Sequence, residues 1–511
     1  MEVVNLRSEE PHLLQGIIGR DAELVLGLVG AVGTELDKIV ADLIGRLKLF
    51  NYDACEVRVS EKIIPQTPKP EKETEYQRIS RGMNNGDAAR RDSGDNAILA
   101  LGAASWISAQ RSEDDQGQPE RSPRKAYIIR SLKHPAEVVA LRQIYSLGFF
   151  LIGVHSDKER RRGFFINQHN MTPDEADGLI ARDENENLPY GQRVTDTFHL
   201  SDFFVRLESD DDEVKHNLWR FLDVLFGDPY KTPTFDEYAM FLAFVSSMRS
   251  SSMARQVGAV VTRNNEILAT GANDCPQFGG GLYWPQYNPN TKEIEDKKGG
   301  RDHTLGKDAN KAEQKEIIDQ IIADAAAQGI DQVSLRKVLK ESRISDLTEF
   351  GREVHAEMEA LLACARNRVS SRDATLYTTT FPCHNCAKHI IGAGINRVVY
   401  IEPYQKSKAP AFHKDAMVVG FSDKDKQENA AQFEPFVGFG PRHFLDFFSV
   451  QLGSGYPLRR RTKGDIIVVN WKRETAQLRL QMLPISYIDY ELAASNRFKE
   501  LTQKGAAANG K

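Results

Sequence analysis

Short apolar runs alternate with longer amphipathic ones along the first part of the chain. Residues 24–30, LVLGLVG, form an apolar run that ends in glycine, as expected of a strand buried on both faces. TELDKIVADLIGRL follows and places Leu36, Ile39, Val40, Leu43 and Leu47 on one helical face. KAYIIRSL (125–132) and FFLIGVHS (149–156) read as further buried strands, with PAEVVALRQIY (135–145) as the helix between them. Strand, glycine turn, helix, strand predicts βαβ units on a parallel sheet. The polar stretch 66–95 is open to two readings, a mobile loop or a helical insertion. The chain turns acidic near 206–216, and the Gly and Pro punctuation of GDPYKTPT closes the first domain near residue 230.

The pattern restarts there. TFDEYAMFLAFVSSMRS is an amphipathic helix, and VGAVVTRNNEILATG is a hairpin turning at RNNE. Residues 277–350 are glycine-rich, then rich in Lys and Glu with helical spacing, and read as an insertion. Helix 355–366, strand 374–380, helix 383–393 and strand 396–402 follow. The last part holds a basic run, LRRRTKGD (458–465), a strand IIVVNW and a terminal helix that frays at KGAAANGK. No internal repeat is visible. The expected organisation is therefore a domain over 1–230 and a second over 231–511 with the insertion inside it.

Composition narrows the function. In 511 residues, 41% are apolar and the net charge is −5, so a protein devoted to gripping long nucleic acid is disfavoured. Five cysteines, Cys55, Cys275, Cys364, Cys383 and Cys386, make no disulfide framework and fit a reducing cytoplasm. The start MEVVNLRSEEPHLLQ lacks the basic and apolar regions of a signal peptide, and the run YAMFLAFV is too short to span a bilayer. A cytoplasmic location without membrane insertion is expected. LRRRTKGD reads as a solvated basic turn before it reads as a contact for triphosphate or RNA.

The chemistry lies in HAEMEA (355–360) and TTTFPCHNC (378–386). His355, Cys383 and Cys386 offer zinc one nitrogen and two sulfurs, and a fourth position stays open for water, as a catalytic zinc requires. Cys383 and Cys386 follow Pro382 at a helix start, where the helix dipole favours thiolate. Glu357, two residues beyond His355, is placed to move the proton of an attacking water to a leaving amine. The arrangement H-x-E…P-C-x-x-C is the general signature of zinc-dependent nucleobase deaminases. A structural zinc knuckle would want a fourth protein ligand and would have no use for Glu357. Cys275 and Cys364 read as buried thiols, and His303 is not expected to bind metal.

Residues 236 to about 405 resemble the deoxycytidylate deaminases through MRS (248–250), VGAVV (257–261), GANDCP (271–276), HAEMEAL (355–361) and PCHNCAKHIIGAGINRVVY (382–400). The resemblance implies an α/β/α cytidine-deaminase-like domain, and a substrate contact near the sugar 3′-hydroxyl for Asn273. The whole chain resembles the narrower family of bacterial anti-phage dCTP deaminases, in which a P-loop kinase-like three-layer domain precedes the deaminase. FEPFVGFGPRHFLDFFS (433–449) and GGGLYWP (279–285) add to that likeness. It implies conversion of dCTP to dUTP and of dCMP to dUMP, depletion of dCTP as a defence against phage, and a homo-oligomer. An allosteric nucleotide and an inhibitory small RNA are further partners on this reading.

GLVGAVGTELDK (27–38) is a damaged Walker A loop. Gly27 and Gly30 fit the pattern and Thr34 takes the Ser/Thr place, but Val32 replaces a glycine and Gly33 stands where the lysine belongs. Phosphoryl transfer is not expected, although amides at a helix start still suit a phosphate. DKERRRGF (157–164) offers Arg160, Arg161 and Arg162, and RDENENLPYGQRV (182–194) resembles parts of nucleoside-phosphate kinases. The domain is expected to be regulatory or to sense a partner. Two other functions stay open at this point: a polynucleotide deaminase acting on tRNA or single-stranded DNA, and a kinase-like nucleotide sensor. Glu357 argues against a pure sensor, which needs no proton shuttle.

Overall fold

The computed structural model describes residues 21–64, 72–115, 117–185, 190–207, 211–342, 344, 347, 349–403, 407–420, 429–461, 468–482 and 484–509. The chain forms two compact units, one made of Met1–Glu237 with Val437–Lys511 and the other of Tyr238–Phe436. Both are mixed α/β with sheets rich in parallel pairs.

In the first unit, β1 (Leu24–Gly30), β2 (Asp53–Arg58), β3 (Lys125–Arg130), β4 (Phe149–Ser156) and β5 (Phe203–Leu207) lie in the order β5-β4-β1-β3-β2, all parallel. Every residue of β1 is buried because helices cover both faces. Leu24, Leu26 and Leu28 face the helices Leu36–Lys48 and Asp211–Leu225, while Val25 and Val29 face Ile98–Ser108 and Pro135–Tyr145. The unread stretch 66–95 contains a helix, Glu75–Ser93, started by a capping box between Thr74 and Gln77; residues 65–71 lie outside the described ones.

The expected single boundary near 230 needs correction: from Val437 onward the chain belongs to the first unit. The strand Gly438–Phe439 pairs antiparallel with β5, and Phe439 packs edge-on to Phe203 with ring centroids 4.9 Å apart. The long helix Pro484–Asn509 lies against Ile98–Ser108. Its Glu491 meets Arg111 at 2.7 Å, Arg111 meets Glu23 at 2.8 Å, and Tyr487 bonds Glu23. These three ions are almost fully buried, so each requires the others. The strand expected at 466–471 is only a bridge between Val468 and Arg461 among the described residues, and the helix expected to fray at 504 continues to Asn509.

In the second unit, β6 (Gly258–Arg263) and β7 (Glu266–Ala272) form the expected hairpin. A small hairpin follows, β8 (Gln286–Asn288) with β9 (Glu293–Glu295), and then come β10 (Thr375–Thr380), β11 (Arg397–Glu402), β12 (Met417–Val419) and β13 (Ala431–Pro435). The main sheet runs β12-β13-β11-β10-β6-β7, parallel from β12 to β10 and antiparallel beyond. The helices Ala356–Arg366 and His384–Gly392 pack on it through Ala356, Ala360, Ala387 and Ile390. Gly271 lets the first of these helices lie close on β7, since a Cβ there would stand 2.1 Å from the carbonyl oxygen of Ala356. The insertion holds the β8–β9 hairpin and the helices Asp302–Leu305, Ala309–Ala326 and Gln332–Glu341.

Candidate active site

Two helix N-termini of the second unit meet at the site. His355 is the N-cap residue of Ala356–Arg366, and Cys383 is the N-cap residue of His384–Gly392, with its sulfur accepting from the Cys386 amide at 3.4 Å. β10 ends at Thr380, so Phe381 and Pro382 carry the chain directly from the sheet to Cys383. The His355 Nδ1 lies 3.4 Å from the Cys383 Sγ and 3.4 Å from the Cys386 Sγ. All three donor atoms fall within 4.8 Å of one another, and among the described residues they are the only such His, Cys and carboxylate cluster.

This donor set fits a tetrahedral zinc with one place left over. The two sulfurs are shifted in opposite directions, with Cys386 raised well above the usual thiol range by its hydrogen bond with Cys383 and by burial. The hydrogen bond with Cys383 raises His355 to about 9, and hydrogen bonds from Cys386 and then His355 lower Cys383 to about 3. Cys383 is thus held as the thiolate a metal requires. Glu357 is in the first turn of its helix, 5% exposed, with Oε2 3.4 Å from the Cys386 Sγ. Burial pushes its carboxyl up.

These groups open on a cavity of about 320 Å³ walled by Ser252, Arg255, Asn273, Glu353, Glu357 and Phe381 among others. Asn273 lines this wall, with its amide tied into it. Its Oδ1 accepts from the Val257 amide at 2.7 Å, and its Nδ2 donates to the Arg255 carbonyl at 2.9 Å and reaches Glu353 Oε2 at 3.4 Å. Glu353 and Arg255 escaped the sequence reading. Glu353 lies two residues before His355 and Arg255 two before Val257, so proximity to the motifs was the available signal. Cys275 and Cys364 are buried thiols, Cys275 pushed up to about 12 by burial beside Asp302. His303 pairs with Asp296 at 3.2 Å.

The first unit has its own cavity, about 450 Å³, beyond the carboxyl ends of β1, β2 and β3. Gly30, Gly33 and Thr34 line it. Gly27 is inside β1, where a Cβ would stand 2.8 Å from Leu132 and Phe149, so packing accounts for it. Thr34 is 8% exposed and its Oγ1 has no hydrogen-bond partner among the described residues. The loop amide of Val32 donates to Asp183 Oδ2 at 2.7 Å. The other oxygen of that carboxylate holds Lys133 Nζ at 3.1 Å, and Lys133 also bonds the Gly30 carbonyl at 2.9 Å. An internal carboxylate therefore occupies the loop amide that a phosphate would use. Arg160 pairs with Glu35, Arg161 bonds the Ser156 carbonyl and Arg162 pairs with Asp177. Residues 186–189 of the kinase-like segment and 462–465 of the basic run lie outside the described residues.

The family described as cytidine and deoxycytidylate deaminase zinc-binding region matches residues 233–402. Deoxycytidylate deaminase of Enterobacteria phage T2 is 34% identical over 169 residues, which are 33% of this chain and 79% of that protein. Deoxycytidylate deaminase of Saccharomyces cerevisiae is 29% identical over 182 residues, 35% of this chain and 40% of that protein. Among solved structures, dCMP deaminase from the cyanophage S-TIM5 in complex with dCMP and dUMP is 19% identical with a TM-score of 0.22, covering 40% of this chain and 100% of that one. Through the unit that carries His355, Glu357, Cys383 and Cys386, the chain belongs to the cytidine and deoxycytidylate deaminase family.

Proposed function

We propose that this protein is a zinc-dependent hydrolase that deaminates deoxycytidine nucleotides, dCTP to dUTP and dCMP to dUMP. The observation that carries the reading is the buried carboxylate of Glu357 beside the His355, Cys383 and Cys386 donor cluster in one cavity. His355, Cys383 and Cys386 would hold a zinc ion, which when bound would supply a Lewis acid able to make water a nucleophile near neutral pH. Glu357 takes a proton from the attacking water and delivers it to the ring nitrogen of cytosine. The water oxygen bonds the ring carbon, Glu357 then takes the second proton from that oxygen and passes it to the exocyclic nitrogen, and the bond between the ring carbon and that nitrogen breaks as the carbonyl forms. Ammonia and a uracil nucleotide result. Phe381, Arg255 and Lys311 line the same cavity, which brings an aromatic ring and positive charge to it.

The choice of dCTP beside dCMP, and a role in defence against phage through dCTP depletion, are supported by the whole-chain resemblance to anti-phage dCTP deaminases. On the same reading the first unit is a P-loop kinase-like regulatory domain. Its strand order with β1 between β3 and β4 places its cavity at a switch point of the sheet, where open α/β sheets bind ligands. The unpartnered Thr34 Oγ1 supports a ligand there, and the missing lysine together with Asp183 argues against phosphoryl transfer.

The test is turnover by the purified, zinc-loaded protein, offered dCTP, dCMP, CTP and cytidine in parallel while ammonia and uracil products are followed. Turnover of dCTP and dCMP but not of CTP or cytidine is expected. Turnover of dCMP alone would remove the triphosphate from the reading, and silence on all four with zinc bound would remove the reading itself.

A further inference from the structure

The loop after β1 has no room for a lysine of its own. Gly33, at the lysine place of the Walker pattern, has a φ of +84°, and a Cβ there would stand 2.9 Å from the ring of Phe165 and 3.1 Å from the Cβ of Arg161. A lysine reaches the loop from the neighbouring strand instead. β3 lies parallel to β1 with Arg130 beside Leu28, and Lys133 follows it. The backbone of Lys133 is fixed on both sides. Its amide donates to Glu137 Oε2 at 2.8 Å, and its carbonyl accepts from the Arg193 amide at 2.8 Å. From there its Nζ donates to the Gly30 carbonyl at 2.9 Å, and Lys133 lines the same cavity as Gly30, Val32, Gly33 and Thr34.

That lysine and the loop already share an anion. Asp183 accepts from the Val32 amide on one oxygen at 2.7 Å and from Lys133 Nζ on the other at 3.1 Å. A phosphate group also offers two oxygens on one atom, so it can bridge the same two donors. Asp183 comes from the helix Pro173–Asn185. Ala176, Leu179 and Ile180 of that helix pack with Met83, Phe165 and Met171 in a small core separate from the two that flank the sheet. The carboxylate is therefore not held in place by the packing of the sheet. Thr34, 8% exposed, adds a buried hydroxyl to the loop whose Oγ1 has no hydrogen-bond partner among the described residues.

We propose that Lys133 takes the part of the missing lysine. Its Nζ and the Val32 amide form a subsite for a polyphosphate group, free or carried by a nucleotide, and Asp183 is an internal competitor that keeps the subsite shut. The assignment is one of binding and not of phosphoryl transfer. It rests on the reading of the first unit as a P-loop-like domain that takes a ligand.

The experiment uses the full chain as wild type, Asp183→Ala and Asp183→Asn, and each Asp183 variant combined with Lys133→Met. All are checked for folding by circular dichroism and titrated by equilibrium dialysis with inorganic pyrophosphate and, separately, with ATP. Asp183→Ala is expected to tighten pyrophosphate binding by about tenfold or more, because the closed state no longer competes. Asp183→Asn frees Lys133 but keeps an acceptor for the Val32 amide, and should gain less. Lys133→Met should cancel the gain in both backgrounds; the combined variants leave no buried charge unpaired, so loss of fold does not account for that cancellation. The deaminase cavity contains neither residue, so pyrophosphate bound there is common to all five proteins. The same pattern with tighter binding of ATP would make the ligand a nucleotide, and equal affinities would make it a free polyphosphate. Folded Asp183 variants that bind pyrophosphate no more tightly than wild type would overturn the proposal, as would a gain that survives Lys133→Met. Binding indifferent to both residues would remove this subsite and leave the ligand-binding reading of the first unit standing, whereas no binding by any of the five would bring down both.

Discussion

The two cavities of this chain use the same local device to different ends. In each, a strand end hands over to a helix N-terminus beside the cavity. In the second unit those N-termini carry His355 and Cys383 as cap residues, with side chains turned to one another and Glu357 beside them. In the first unit the loop amide after β1 is already satisfied by Asp183, and Lys133 neutralises that carboxylate. One site presents a donor set that suits a metal, while in the other the Val32 amide has an internal carboxylate as its acceptor. Similar strand-to-helix turns therefore say little about activity; what the terminal amides and caps are bonded to decides it.

The sharpest way to break the contrast is at Glu357. Glu357→Gln keeps the size of the side chain and removes the proton carrier. We expect kcat on dCMP to fall by about 10²–10⁴-fold, with zinc content by metal analysis equal to wild type. Turnover near the wild-type rate would leave the donor cluster as a structural metal site and erase the difference between the two cavities.

Asp183 tests the other side. It is 1% exposed and faces Lys133, which is 17% exposed. Asp183→Ala leaves that lysine and the Val32 amide without their acceptor, and removing one partner of a buried pair costs about 3–5 kcal/mol. The first unit should unfold at lower denaturant, while Asp183→Asn, which keeps an acceptor for the amide, should lose less. The emptied loop should also gain measurable affinity for pyrophosphate by equilibrium dialysis. An Asp183→Ala protein with the wild-type midpoint would show that the loop does not depend on its internal anion.

What could be read in advance follows the same division. The clustering of His355, Cys383 and Cys386 with Glu357 beside them was legible because these residues sit at helix starts and the spacing within each motif is local. The alternation of strands and helices in both units was legible for the same reason. Asp183 and Val32 are separated by 151 residues, and Arg111 and Glu491 by 380. A buried polar partner leaves no periodic trace, so neither the internal anion nor the return of Val437–Lys511 to the first unit could be seen. The capping box at Thr74 and Gln77 was in plain view, and it settles the stretch 66–95 as partly helical.

A smaller effect sharpens the comparison from within the second unit. Glu357 is held over the cavity by its helix, and that helix is held by Gly271, where a Cβ would stand 2.1 Å from the Ala356 oxygen and 2.5 Å from the Ala360 nitrogen. Both atoms are backbone, so Gly271→Ala cannot be absorbed by a rotamer change and the helix must retreat. A shift approaching 1 Å in a catalytic group lowers turnover by about 10²-fold, and that is the loss expected in kcat. Gly392, at the end of His384–Gly392, has nothing within 4 Å of its missing Cβ, and Gly392→Ala should leave the rate unchanged. If Gly271→Ala keeps full activity, the cavity tolerates a displaced Glu357, and the close packing of helix on strand is not what sets the active geometry.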